Sequence, residues 1–192
     1  RKINKIIAKK FLKKFQIKDN IAFKSLLRFD KKKIKINIDD LGYVVGPIVN
    51  AGGRLGKSNY GTELLTSDNS QVINNRSDML IDLNNKRKEI ENIILSEVDF
   101  QKIKDENKDV IIYYNKNINE GLIGIIASRL KDFFNKPSII ITNSNNILKG
   151  SCRSTAEYNL GHLMKKLLYN KIIEKGGGHN MAAGFSILKD NL

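Results

Sequence analysis

Residues 110–187 constrain the fold most tightly, because apolar runs of strand length alternate there with segments of helical period. "VIIYY" (110–114) follows the polar "QKIKDENKD" and predicts a strand. "GLIGIIASRLKDFF" (121–134) predicts a helix that turns Ile125, Ile126 and Leu130 inward. "KPSIIIT" (136–142) and "ILKGSCRS" (147–154) predict two further strands around the Asn-rich turn "NSNN". "LGHLMKKLLYN" (160–170) predicts a helix. "GGGH" (176–179) then leads through a tight turn to a short strand at 185–187. Strands alternating with helices indicate an α/β layer domain.

The preceding half reads as helical. Residues 3–17 set Ile3, Ile6, Ile7, Phe11, Leu12 and Phe15 at amphipathic spacing among lysines. "IAFKSLLRFD" (21–30) predicts a second short helix. Asp39 and Asp40 precede an apolar run and read as helix caps rather than metal ligands, since acids satisfy free N–H groups and the helix dipole. Over residues 77–100, Leu80, Leu83, Arg87, Ile90, Ile94 and Val98 form one stripe, with Lys86, Lys88, Glu89 and Glu91 outward. A helix of that length spans roughly 36 Å. It suits a connector between differently composed halves, or an ordinary core helix.

The formal net charge is +14, and residues 1–45 hold 14 Lys/Arg against 4 Asp/Glu. A basic face recruits polyanions through counterion release, so nucleic acid is the expected partner. The competing reading is a solvated lysine face. A single cysteine, Cys152, excludes an intramolecular disulfide and suits the reducing cytoplasm. No apolar run approaches the roughly 18 residues of a membrane span. The chain starts at Arg1, which suggests a fragment of a longer protein.

"IVNAGGRLGKS" (48–58) is one residue from a triphosphate loop, with Ala51 in place of the first glycine. Its context argues against that loop. Pro47 interrupts the run that should be a central strand, and helix-poor Asn59 and Gly61 follow. The neighbouring strands end in Asn115 and Asn143, which cannot hold magnesium as a carboxylate would. The glycines and arginine are therefore expected to serve another phosphate.

Three blocks in order, "DDLGYVVGPIVNAGGRLG" (39–56), "EGLIGIIASRLKDFFNKPSIII" (120–141) and "GGGHNMAAGFSI" (176–187), with "KGSCRST" (149–155) between them, closely resemble the RecJ branch of the DHH phosphoesterase superfamily. That branch comprises single-strand-specific 5′→3′ DNA exonucleases. The resemblance implies an α/β protein in three parts: residues 1–75 as the helical tail of a DHH catalytic domain, 76–107 as connector helix and linker, and 108–192 as a DHHA1 substrate-binding domain with a mixed sheet. It also implies Mn2+ or Mg2+ in the full-length enzyme, with none bound by this fragment alone. The implied partners are single-stranded DNA, a single-strand-binding protein and a helicase, in DNA repair and recombination. Two departures stand out. Ile48 replaces the arginine that usually follows Gly-Pro, and no Asp-His-His triplet exists, so the metal ligands are expected upstream of Arg1.

Three groups of residues carry the expected binding chemistry. Arg54 can fork onto phosphate oxygens, with Gly52, Gly53 and Gly56 allowing close approach and Asn50 pinning the turn; the alternative is a plain turn with a surface ion pair. Gly150 ends a strand and exposes Ser151, Arg153 and Ser154, a donor set suited to a terminal phosphate; the resemblance assigns this loop to the 5′ end. Gly176, Gly177 and Gly178 leave N–H groups uncovered as an anion concavity, beside His179 as the catalytic donor near the metals. Cys152 and His162 are expected to be structural. No metal ligand is assigned. Rival readings are a DHH/DHHA1 phosphatase or nanoRNA-degrading phosphodiesterase, and a degenerate non-enzymatic nucleic-acid-binding module.

Overall fold

The structure, a computed structural model, describes residues 2–28 and 35–191. Phe29 and Asp30, the expected end of the second helix, lie outside the described residues. The chain divides into two compact units, Arg1–Glu89 and Ile90–Leu192.

The first unit is helical. α1 (Lys2–Lys14) and α2 (Ile21–Leu26) are followed by a wide π-type turn (Asp40–Val45) that runs straight into α3 (Gly46–Arg54). Asn37 and Asp40 cap this helical run reciprocally. The Asp40 N–H donates to Asn37 Oδ1 at 2.9 Å, and the Asn37 N–H donates to Asp40 Oδ2 at 2.8 Å. Pro47 lacks an N–H and crowds the preceding turn, which the wider π turn accommodates. The segment Asn50–Arg54 is thus helix, not the turn expected from its glycines. Gly56, at φ +80°, ends it in the left-handed region, and the Lys57 N–H closes onto the Gly52 carbonyl at 2.7 Å. α4 (Asn59–Thr66) and α5 (Ser70–Ser96) complete the core around Leu26, Ile48, Leu64, Ile73 and Leu80. Of the expected apolar face of α1, Leu12 and Phe15 pack on this core, whereas Ile3, Ile6, Ile7 and Phe11 are exposed.

α5 starts seven residues before the expected helix, because Asn69 Oδ1 caps it by accepting from the N–H groups of Gln71 and Val72. Glu91, expected to face outward, is buried and accepts from Arg129 Nε at 2.6 Å.

The second unit follows with α6 (Phe100–Glu106), β1 (Ile111–Tyr114), α7 (Ile123–Phe134), β2 (Ser138–Ser144), β3 (Ile147–Arg153), α8 (Leu160–Tyr169), β4 (Lys175–His179) and β5 (Ala182–Ile187). The sheet is mixed, in the order β1-β2-β3-β5-β4, with only β1 and β2 parallel. α7 buries Ile126, Ala127 and Leu130 with Ile111 and Ile140 on one face. α8 buries Leu160 and Met164 with Ile141, Leu148 and Cys152 on the other. The glycine run is itself a strand: β4 pairs antiparallel with β5 through the expected tight turn, at Asn180 and Met181, and β5 starts at Ala182, three residues before the expected strand.

Candidate nucleic-acid interface

Strand register decides which side chains share a surface, since residues opposite one another point the same way. Arg153 of β3 stands opposite Ala182 of β5, which stands opposite His179 of β4. Two residues along, Ser151, Gly184 and Gly177 form the next row. Two inter-strand steps separate Arg153 from His179, about 10 Å of backbone. The surface between them carries only small residues.

The first turn of α7 closes one side of this surface. A Cβ on Gly124 would lie 2.9 Å from Arg153 Nη2 and 3.2 Å from Ser151 Oγ, so glycine is what lets the helix approach the guanidinium. Arg153 Nη1 donates to Ser151 Oγ at 3.2 Å and to the Cys152 carbonyl at 2.8 Å. Burial lowers its pKa, the nearby Cys152 opposing the shift, but a guanidinium stays charged at neutral pH. Among the described residues no carboxylate pairs with Arg153. His179 is exposed, and its Nδ1 accepts the Met181 N–H at 3.3 Å. That bond leaves Nε2 as the outward donor.

Residues 107–192 match the family model described as the DHHA1 domain. This match lies wholly within the second unit. The likeness to known proteins runs further, over most of the chain. It is 35% identical over 167 residues to the single-stranded-DNA-specific exonuclease RecJ of Escherichia coli K12, covering 81% of this chain and 28% of that protein. Against RecJ of Bacillus subtilis 168 the identity is 27% over 194 residues, covering 98% and 24%. The crystal structure of RecJ in complex with Mn2+ from Thermus thermophilus superposes with a TM-score of 0.75 at 22% identity, covering 88% of this chain and 25% of that one. Its Mg2+ complex gives 0.72 at 21%, covering 88% and 26%. The fold is therefore that of the corresponding RecJ region, and the chain spans about 28% of the length of the first curated relative.

Within the second unit the register separates the expected site residues into two sets. Ser151, Arg153, Gly177 and His179 share the open surface, and a Cβ on Gly177 would meet nothing within 4 Å. Gly150, Gly176 and Gly178 face the other way and serve packing. Their added Cβ atoms would lie 2.1 Å from the Phe185 ring, 2.6 Å from Ile173 and 2.4 Å from the Ala182 carbonyl oxygen. The N–H groups of the triple glycine are not all uncovered, since in the edge strand β4 alternate N–H groups point toward β5 and toward the open edge. Ser154 also leaves the donor set: it is buried, and its hydroxyl donates to the Tyr158 carbonyl at 2.9 Å. Cys152 is fully buried, and burial pushes its thiol up to about 12. His162, expected to be structural, is exposed on α8.

The sequence reading missed Gly124, whose signal is a glycine inside a helical pattern. It also missed a cluster at the far end of the same surface, where Glu120 accepts from Lys149 Nζ at 2.7 Å and from Ser144 Oγ at 2.6 Å. The hydrogen bond from Lys149 and then that from Ser144 hold the Glu120 carboxyl below its ordinary range.

In the first unit, Asn50, Gly53 and Arg54 fall at i, i+3 and i+4 of α3 and so share a helical face. Asn50 and Gly53 are exposed and Arg54 is half-buried. A Cβ on Gly53 would meet nothing within 4 Å, whereas one on Gly52 would lie 2.5 Å from the Lys57 carbonyl oxygen. Gly52 therefore serves packing and Gly53 leaves open backbone. Among the described residues no group of three or more His, Cys, Asp or Glu is placed to hold a metal ion.

Proposed function

We propose that this chain supplies DNA and phosphate binding to a metal-dependent 5′→3′ exonuclease that degrades single-stranded DNA in repair and recombination. The supporting observation is Arg153: half-buried, without a carboxylate partner among the described residues, and sharing one surface with Ser151 and His179. A guanidinium so placed forks onto phosphate oxygens, which exceed water as partners in a partly desolvated site. The Ser151 hydroxyl adds a donor, and the N-terminal turn of α7 adds partial positive charge. His179 Nε2–H is free to donate to a phosphoryl oxygen near the reacting bond. In this reading the chain's part is binding and orientation, and Mn2+ or Mg2+ is held by other parts of the whole enzyme, in keeping with the lack of any group of three or more His, Cys, Asp or Glu placed for a metal among the described residues. The relatives' names support single-stranded DNA as substrate. A single-strand-binding protein and a helicase, which create and hold single strands, are the proteins it would meet in the cytoplasm. No helix among the described residues is long and apolar enough to cross a membrane.

The test is a competition assay with oligonucleotides that differ only at the 5′ end. A terminal phosphate offers more charge and more acceptor oxygens than an internal diester. Arg153→Ala is expected to weaken 5′-phosphorylated strands about tenfold and 5′-hydroxyl strands much less. Equal loss on both would make Arg153 a backbone contact and end the terminal-phosphate role.

A further inference from the structure

The first unit holds a cleft of about 280 Å3 lined by Lys57, Tyr60, Met79, Asp82, Leu83 and Lys86. Met79, Asp82, Leu83 and Lys86 fall at i, i+3, i+4 and i+7, one stripe of α5. Tyr60 comes from the first turn of α4 and Lys57 from the turn before it. The floor is apolar and aromatic: Tyr60, Met79 and Leu83 are half-buried. Arg76 lies over the Tyr60 ring, 4.5 Å from its centroid, and is itself paired with Glu63, which holds the ring in place. The rim is charged. Lys57, Lys86 and Asp82 are exposed, and among the described residues none of the three is in an ion pair.

We propose that this cleft is a nucleotide subsite for single-stranded nucleic acid, an inference that rests on the strand-binding reading above. Two lysines and one aspartate leave a net charge of +1, which matches one phosphodiester. The aromatic and apolar floor accepts a base, whose flat face stacks on Tyr60 and excludes water. Asp82 repels a phosphate and accepts hydrogen bonds from amino groups. It therefore faces the base and favours cytosine, which carries an exocyclic amino group, over thymine, which has none. Lys57 and Lys86 hold the backbone.

The experiment measures binding of the 192-residue chain to oligo-dC and oligo-dT across a salt series, with circular dichroism to confirm that each variant is folded. All three substitutions fall on exposed side chains. Wild type is expected to bind oligo-dC about threefold tighter than oligo-dT, at the low end of direct base readout. Asp82→Asn should abolish that preference without weakening oligo-dT. Lys57→Gln with Lys86→Gln should weaken both strands and reduce the slope of log affinity against log salt by about 1.4. Wild type binding both strands alike would overturn the role of Asp82. Wild-type binding with a salt slope unchanged in the double variant would overturn the subsite and leave the strand-binding reading standing. Failure of the wild type to bind either strand would overturn both.

Discussion

Gly150 and Gly177 belong to neighbouring rows of the same sheet, yet they answer to different demands. Gly150 makes room for the Phe185 ring, and Gly177 lies on the open surface with nothing within 4 Å of an added Cβ. Gly150→Ala is expected to destabilise the second unit by about 1–3 kcal/mol through overpacking, visible as a lower Tm. Gly177 has no positive φ, so Gly177→Ala should leave Tm level or raise it, while, if the proposed strand rests on this surface, its methyl should weaken strand binding. Weakened binding with a lowered Tm at Gly177 would instead mark it as a packing glycine. Cys152 makes a prediction of opposite character. Its pKa rises from an ordinary 9.0 to about 12 in the folded state, because burial disfavours the thiolate. The unfolded chain releases this proton first, so the folded state is favoured below about pH 9 and loses that contribution as pH rises towards about 12. Chemical denaturation between those limits should show a decline that Cys152→Ala flattens.

At the scale of elements, the helical run ending in α3 depends on its cap more than on its composition. It contains Gly42, Gly46, Gly52 and Gly53 as well as Pro47, all poor helix formers. What starts it is the reciprocal pair of Asn37 and Asp40, and what stops it is left-handed Gly56. Asn37→Ala removes the side-chain acceptor of the Asp40 N–H and keeps the backbone N–H that donates to the Asp40 carboxylate. The expected cost is about 1–2 kcal/mol, measured by denaturant titration of the chain. A cost under a few tenths would mean that tertiary packing alone sets this helix start.

For the whole molecule, the uneven charge is what the proposed strand binding would draw on for long-range attraction. Lys9, Lys10, Lys13 and Lys14 are exposed on α1 and take part in no ion pair among the described residues. If the surface neutralises three phosphates, affinity for a single strand should fall about twentyfold between 50 and 200 mM salt. Replacing those four lysines should weaken 5′-phosphorylated and 5′-hydroxyl strands equally, in contrast to Arg153→Ala. A flat salt response would show that the lysines are only a solvated face.

Much of this architecture is carried by local pattern. The amphipathic stripe of α7, the apolar runs of β1 and β2, and the Asn-Asn turn at 145–146 follow from periodicity and turn chemistry, which neighbouring residues determine between themselves. The basic charge and the pairing of arginine with small polar residues at 149–155 are equally visible in one dimension. β4 is not, because glycine has neither strand propensity nor a side chain to alternate; it is a strand because β5 supplies its partner. Gly52 in α3 lets the helix pack against Leu80 of α5, 3.2 Å from an added Cβ, a contact between segments that no local rule encodes. The division of these glycines between packing and the open surface also belongs to the tertiary structure. Side-chain direction in a strand follows from register, and register is set only when one strand meets the next.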